Sequence, residues 1–454
     1  MLRKDIVVTF GGQVARVTLG IIGTAVLARA LGPEGRGLYA LAILLPVTIG
    51  SFLQAGHLAV NLTFAGLYRD QRRALFVQSV LYSVVAGALA VLAMAAYFFW
   101  LPVGKGQLES LPGGIILIGL MLIPMQMMAA LLRALTRGSE LIVQAVLVDS
   151  AGMVLRVLAL IAFVWLLGGG LPAAMWVTLG LPAFCIVAFL WQIRNIATLD
   201  VRNLSWPLAK QSMQFGGVLA VASVARLLVM QVGLYLLNYM KMPPAEIGFY
   251  AVALVVSRQL QMIPEAVSQA FLPRASNDPE VRLKQIPPLF RLTLIVCLGM
   301  MFLMAAAGPP LMLLMFGWNF AGSILPYLFL LPGVAFHGSA RLIGMYLYVR
   351  QKPHYGMINN WIALACTVAL SVVLIRRLGI TGAALGYSLG MLLVSVLTIW
   401  AYRRVSGTAL KELVPQRSDF RLLWGQFRRI LASPRRMLAR GKIEQTTPDD
   451  PAQT

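Results

Sequence analysis

Apolar runs of about 20 residues, each long enough for an α-helix to cross the roughly 30 Å hydrocarbon core of a bilayer, follow one another along most of this chain. Breaks at glycine, proline and charge clusters separate about twelve predicted spans, near residues 7–31, 38–66, 76–100, 113–134, 140–166, 172–192, 212–238, 247–272, 289–316, 323–349, 357–375 and 382–402. The pattern predicts an all-α polytopic membrane protein. It also repeats. FGGQVARVTLGIIGTAVLARALGPEGRGLYAL at 10–41 returns as FGGVLAVASVARLLVMQVGLYLLNYMKMPPAEIGFYAV at 215–252, and each copy runs from Phe-Gly-Gly past an internal arginine to Gly-x-Tyr-Ala. Paired halves of this kind are a common transporter plan. The longest polar break, Arg194 to Gln211, divides the chain into a first six-helix unit over 1–198 and a second over 199–405, followed by a basic tail over 406–454.

Composition agrees with that class: 59% of the 454 residues are hydrophobic and 12% are charged. The amino-terminal apolar run exceeds the length of a signal-peptide core and contains Arg16, so it is expected to be the first span. Cys185, Cys297 and Cys366 lie inside apolar runs, without metal or disulfide spacing, and read as small core residues. The net charge of +22 is unevenly placed. With the amino terminus inside, inner connections collect Arg69, Arg72, Arg73, Arg133, Arg137, Arg194, Arg282, Lys284 and others, whereas outer ones hold only Arg36, Lys105, Lys241, Arg376 and Arg377. This bias predicts both termini in the cytoplasm. Topology and tail therefore explain the charge, and nucleic acid is not expected as a partner.

Two local patterns have structural readings. Gly382, Gly386 and Gly390 give the last span a smooth face for close helix packing. In the tail, Phe420, Leu423, Trp424, Phe427, Ile430 and Leu431 recur at helical spacing among Arg417, Arg421, Arg428 and Arg429. That pattern predicts an amphipathic helix on the anionic lipids of the inner leaflet, with a partner-binding helix or a partly disordered tail as alternatives.

Candidate chemistry lies within the spans. Arg16, Arg29, Arg156, Arg226, Arg258 and Arg341 fall inside predicted helices, against Asp149 and Glu265. An arginine at the bilayer centre costs roughly 2.5–3.5 kcal/mol on insertion scales, so these side chains are expected to face a wet cavity. Arg29, near a span end, can instead snorkel to the interface. Gln54, His57 and Asn61 share one helix face, as do Arg258, Gln261, Glu265 and Gln269, and as do His337 and Arg341. Such stripes read as cavity wall, with interhelical polar contacts as the other reading for Gln54, Asn61 and Gln269. A cavity with excess fixed positive charge concentrates anions, and arginine's planar fork suits phosphate. Asp149 and Glu265 either balance arginines on neighbouring helices or bind a coupling H⁺ or Na⁺. No metal site or phosphate-binding loop is found, and no cofactor is expected.

Four further blocks carry a resemblance: Ala28 to Ala40 (ARALGPEGRGLYA), Phe271 to Ser276 (FLPRAS), Phe316-Gly317, and Leu378 to Ala384 (LGITGAA). In these marks, over about residues 5–405, the chain resembles the polysaccharide transporter (oligosaccharide flippase) family of the multidrug/oligosaccharidyl-lipid/polysaccharide (MOP) exporter superfamily. The resemblance implies two six-helix bundles around a central cavity. It further implies transport of a polyprenyl-pyrophosphate-linked oligosaccharide across the bacterial inner membrane for surface polysaccharide biosynthesis, by alternating access, beside a polymerase and a chain-length regulator. Depth and stripe geometry make Arg16, Arg226, Arg258 and Arg341, with Arg156 behind them, the candidates for holding the pyrophosphate. The alternatives are a multidrug and toxin exporter, whose cationic substrates fit excess arginine poorly, and a lipid II flippase, which usually carries two further spans. A membrane glycosyltransferase or polymerase would need an acidic cluster that Glu34, Glu109 and Glu246, scattered singly, do not supply.

Overall fold

The computed structural model describes residues 2–100, 111–195, 205–268, 285–350 and 352–421. All regular structure among them is helical: α1 (Leu2–Leu67), α2 (Arg72–Trp100), α3 (Gly113–Gly138), α4 (Ile142–Ala159), α5 (Gly170–Gln192), α6 (Trp206–Tyr239), α7 (Pro244–Ser257), α8 (Ile286–Phe316), α9 (Ile324–Val349) and α10 (Pro353–Ser406). Two of these are double spans. α1 folds at Gly32 (φ 66°, ψ −179°) and α10 at Gly379 (φ 57°, ψ −135°). Both backbone states are tolerated almost only by glycine, and Pro33 then suits the first turn of the helix that resumes.

The first outer connection therefore shrinks to a single bend, which corrects one expectation: Arg36 is not in a loop. It lies in helix and is 6% exposed. The bundle has two distinguishable ends, a turn end carrying Gly32 and Gly379 and a terminal end carrying Leu67 and Ser406.

α1 to α5 pack together as one lobe, and α6 to α10 as a second. α1 makes the principal contacts between them, against α6 and α7. The reason is a glycine at each crossing. At the turn end Gly37 and Gly248, the glycines of the two Gly-x-Tyr-Ala copies, meet backbone to backbone, so that a Cβ at Gly37 would overlap the Pro244 carbonyl and one at Gly248 the Pro33 carbonyl. Arg29 adds a second link there. Its Nε donates to Met315 O at 2.8 Å and its Nη2 to Leu314 O, so the guanidinium caps the last turn of α8. It therefore holds the lobes together, and this replaces the expected snorkelling. Nearer the terminal end, Gly56 packs on Gly216, one glycine of the second Phe-Gly-Gly. Gly382, Gly386 and Gly390 press on Leu374, Ser371 and Thr367, bringing the two limbs of α10 together.

After α10 the chain returns to the bundle. Arg291 donates to both Asp419 carboxylate oxygens, at 2.8 and 3.2 Å, and to Glu412 O at 2.6 Å. The predicted tail helix falls largely outside the described residues, as do Gln269 and the FLPRAS block. The Arg291 hydrogen bonds hold the Asp419 carboxyl below the usual carboxylate range. A depressed folded value means that the clamp contributes fully above the unfolded carboxylate value and is lost only as pH falls through the folded one. Proteolysis between Gly407 and Asp419 should therefore stay slow from neutral pH down through the usual carboxylate range, and should speed up at neutral pH in Asp419→Asn. Gly37→Val is expected to lower the thermal midpoint by an overpacking cost of roughly 1–3 kcal/mol, whereas Gly11→Val, with open space around it, should not.

Candidate functional site

In the second lobe, α7 gives way to a tight turn at Arg258–Gln261 before the helical run continues to Ser268. Together with α6, α9 and α10 this segment encloses a cavity of about 490 Å³. Its polar lining is Arg226 from α6, Gln261 and Ser268, His337 and Arg341 from α9, and Asn360 and Thr398 from α10. His337 and Arg341, four residues apart, present one helix face to it. Arg341 Nη1 donates to Glu265 Oε1 at 3.1 Å, and both side chains are partly exposed. Gln261 Nε2, Ser268 Oγ and His337 Nδ1 are buried without a hydrogen-bond partner. Three such atoms around one cavity are costly unless a polar guest completes them.

The first lobe carries a second cluster. Asp149, its side chain 4% exposed, faces three guanidinium groups: Arg133 Nε at 2.8 Å, Arg137 Nη2 at 3.0 Å and Arg16 Nη1 at 3.6 Å. The Arg137 contact is a hydrogen bond, and the Arg133 contact lacks that alignment. Among the described residues one carboxylate thus faces three arginines, on side chains about a third exposed. Arg133 and Arg137 read in the sequence as residues of an inner connection, but α3 runs on to Gly138 and brings both inward. Their four-residue spacing was the available signal.

The remaining candidates lie elsewhere. Arg258 Nη2 donates to Met230 O on α6, and Arg258 is not among the cavity lining. Arg156 hydrogen-bonds Tyr39 Oη at 3.2 Å in the first lobe. His57 stacks on Tyr82 at 3.7 Å, buried Asn61 donates to Ser79 Oγ and Leu131 O, and Gln54 Oε1 is buried without a partner. Asn61 thus ties α1 to α2 and α3. Among the described residues no group of three metal-ligating side chains occurs.

No family model matches the sequence. The chain is 22% identical over 414 residues to the "Putative O-antigen transporter" of Shigella flexneri, covering 88% of this chain and 98% of that one. Among solved structures it is similar to an inward-facing multidrug resistance MATE family transporter of the MOP superfamily, at a TM-score of 0.68, 16% identity and coverage of 87% and 98% of the two chains. It is likewise similar to the lipid II flippase MurJ in an inward closed conformation, at 0.66, 15%, and 90% and 88%. The chain has the fold of these transporters. That fold accommodates twelve spans, carried here by nine described helical segments long and apolar enough to cross a membrane, two of them double, together with α6. Both transporter-type neighbours and the sequence relative agree with a non-enzymatic multi-pass membrane protein.

Asp149→Asn tests the first-lobe cluster. Removing one partner of a fully buried pair costs roughly 3–5 kcal/mol, and the partial exposure of these arginines reduces that through solvent screening. The expected result is a clearly lowered thermal midpoint in detergent, with Arg133→Gln restoring part of the loss in the double variant by removing one unbalanced charge.

Proposed function

We propose that this protein moves a lipid-linked oligosaccharide, carried on polyprenyl pyrophosphate, between the leaflets of a bacterial inner membrane by alternating access, with both termini cytoplasmic. The observation that carries the reading is the second-lobe cavity: two arginines, Arg341 paired with Glu265, beside three buried polar atoms that lack partners. Guanidinium forks suit the phosphates, and an amide, a hydroxyl and an imidazole suit sugar hydroxyls. The O-antigen transporter and lipid II flippase likenesses point the same way. An organic cation would meet repulsion from Arg226 and Arg341.

Coupling to H⁺ or Na⁺ is part of the same proposal. Such an ion would have to displace Arg341 from Glu265, or the arginines from Asp149, so binding it and releasing an anionic substrate become opposed steps. A polymerase and a chain-length regulator are the expected neighbours in the membrane.

Reconstituted vesicles loaded with a fluorescent lipid-linked oligosaccharide provide the test. Arg226→Ala and Arg341→Ala are expected to reduce translocation at least tenfold, and the lysine variants to recover part of it, because they keep the charge and lose the fork. Wild-type rates in both alanine variants would reject the cavity as the substrate site. Accumulation of lipid-linked oligosaccharide on the cytoplasmic face in a deletion strain is the matching cellular expectation, and drug hypersensitivity without it would favour an exporter.

A further inference from the structure

The first lobe holds a second anion-competent feature, away from both clusters described above. A groove of about 510 Å³ runs between α4 and α5, walled by Leu155, Phe163, Trp176, Leu181 and Phe184, with Arg156 as its charged lining residue. Its rim is open: Trp176 is 58% exposed, and Leu155 and Phe163 are exposed too. Leu147, Leu158, Val187 and Trp191 continue that apolar, exposed flank on the same two helices, which suits bilayer hydrocarbon and not water. The groove thus opens toward lipid chains.

Its depth matters. Arg156 lies ten residues before Leu166, the turn end of the 25-residue run Ile142–Leu166. Ten residues are about 15 Å of helix, half the roughly 30 Å hydrocarbon thickness. An arginine at mid-depth beside a hydrocarbon-filled groove is costly unless something anionic visits it.

Behind Arg156 the site continues. Tyr39 Oη bridges Arg156 and Thr178 Oγ1, at 3.2 and 2.7 Å. The guanidinium of Arg36 lies over the Tyr39 ring, 5.3 Å from its centroid, close enough to Arg156 for mutual repulsion. Arg36 is more than nine-tenths buried, and its Nε and Nη1 have no hydrogen-bond partner, as is also true of Arg156 Nε. No ion pair to a carboxylate is found for either arginine among the described residues. Two neighbouring cations with unfilled donors and two hydroxyls form a receptor for a phosphate group. The greasy approach selects a phosphate that carries an apolar chain.

We infer that Arg156 and Arg36 form a mid-membrane station for the phosphate of a lipid, whose hydrocarbon chain lies in the α4–α5 groove. A phospholipid resting in either leaflet keeps its phosphate at the surface, so the depth favours a lipid in transit. The inference deepens the lipid-linked substrate reading and rests on it: it assigns the chain a path along the first lobe, while the saccharide occupies protein interior.

Trp176 reports on the groove directly. The full-length protein in detergent is titrated with a bromoalkyl phosphate, whose bromine quenches tryptophan on contact, and the Trp176→Phe protein supplies the background. Saturable quenching of Trp176 is expected, at least tenfold weaker with the matching bromoalkyl alcohol and not relieved by equimolar inorganic phosphate. Arg156→Gln should weaken the bromoalkyl phosphate tenfold or more and leave the alcohol unchanged. Arg36→Gln should do the same to a smaller extent. Equal binding of alcohol and phosphate, displacement by inorganic phosphate alone, or an unchanged affinity in Arg156→Gln with its thermal midpoint intact would overturn the site. Arg226→Ala separates the two proposals: it should stop translocation yet keep the Trp176 signal. Loss of that signal in Arg226→Ala would place the probe in the second lobe and overturn the groove. Translocation unaffected by Arg226→Ala would instead strike the cavity reading alone.

Discussion

A guanidinium group cannot be left against hydrocarbon: it stays charged at any pH a cell offers, and its five donors have no partners in lipid. Each arginine placed within these spans forces an answer from its surroundings, and the answers differ. Arg29 takes the open carbonyls at the end of α8. Arg16, Arg133 and Arg137 share one carboxylate. Arg258 leans on a backbone carbonyl of α6, and Arg341, at the second-lobe cavity, pairs with Glu265. Arg36 and Arg156 are left with open donors. The lobes are arranged so that these answers are available.

Much of this was legible in the residues. Span number and the glycine face of the last helix follow from period and small-residue spacing, because lipid removes most alternatives to helix. Gly-Pro at 32–33 signalled a bend, but not how tight a bend. A glycine whose φ is positive lets the helix resume at once, and that choice depends on the partner backbone at Gly248, more than two hundred positions along the chain. Arg36 was misplaced for the same reason.

The site was partly legible. Four-residue spacing on α9 brought His337 and Arg341 to one cavity with Arg226 and Gln261. Spacing alone could not show that Arg258 turns toward Met230, since the turn at 258–261 breaks the stripe. Nor could it gather Arg133 and Arg137 around Asp149, because charge counting assigns arginines near span ends to loops whenever a helix runs longer than its apolar stretch. Interhelical pairing is a property of the packed lobe, and no window along one helix contains it.

The crossing of Gly37 and Gly248 has a mechanical consequence. Interdigitated side chains resist sliding, because knobs must leave their holes before neighbouring helices can move. Two bare backbones in contact offer no such teeth. The crossing can act as a ball joint, letting one lobe swing against the other with little friction, while Arg29, gripping carbonyls that any nearby water could replace, sets how readily the joint comes apart.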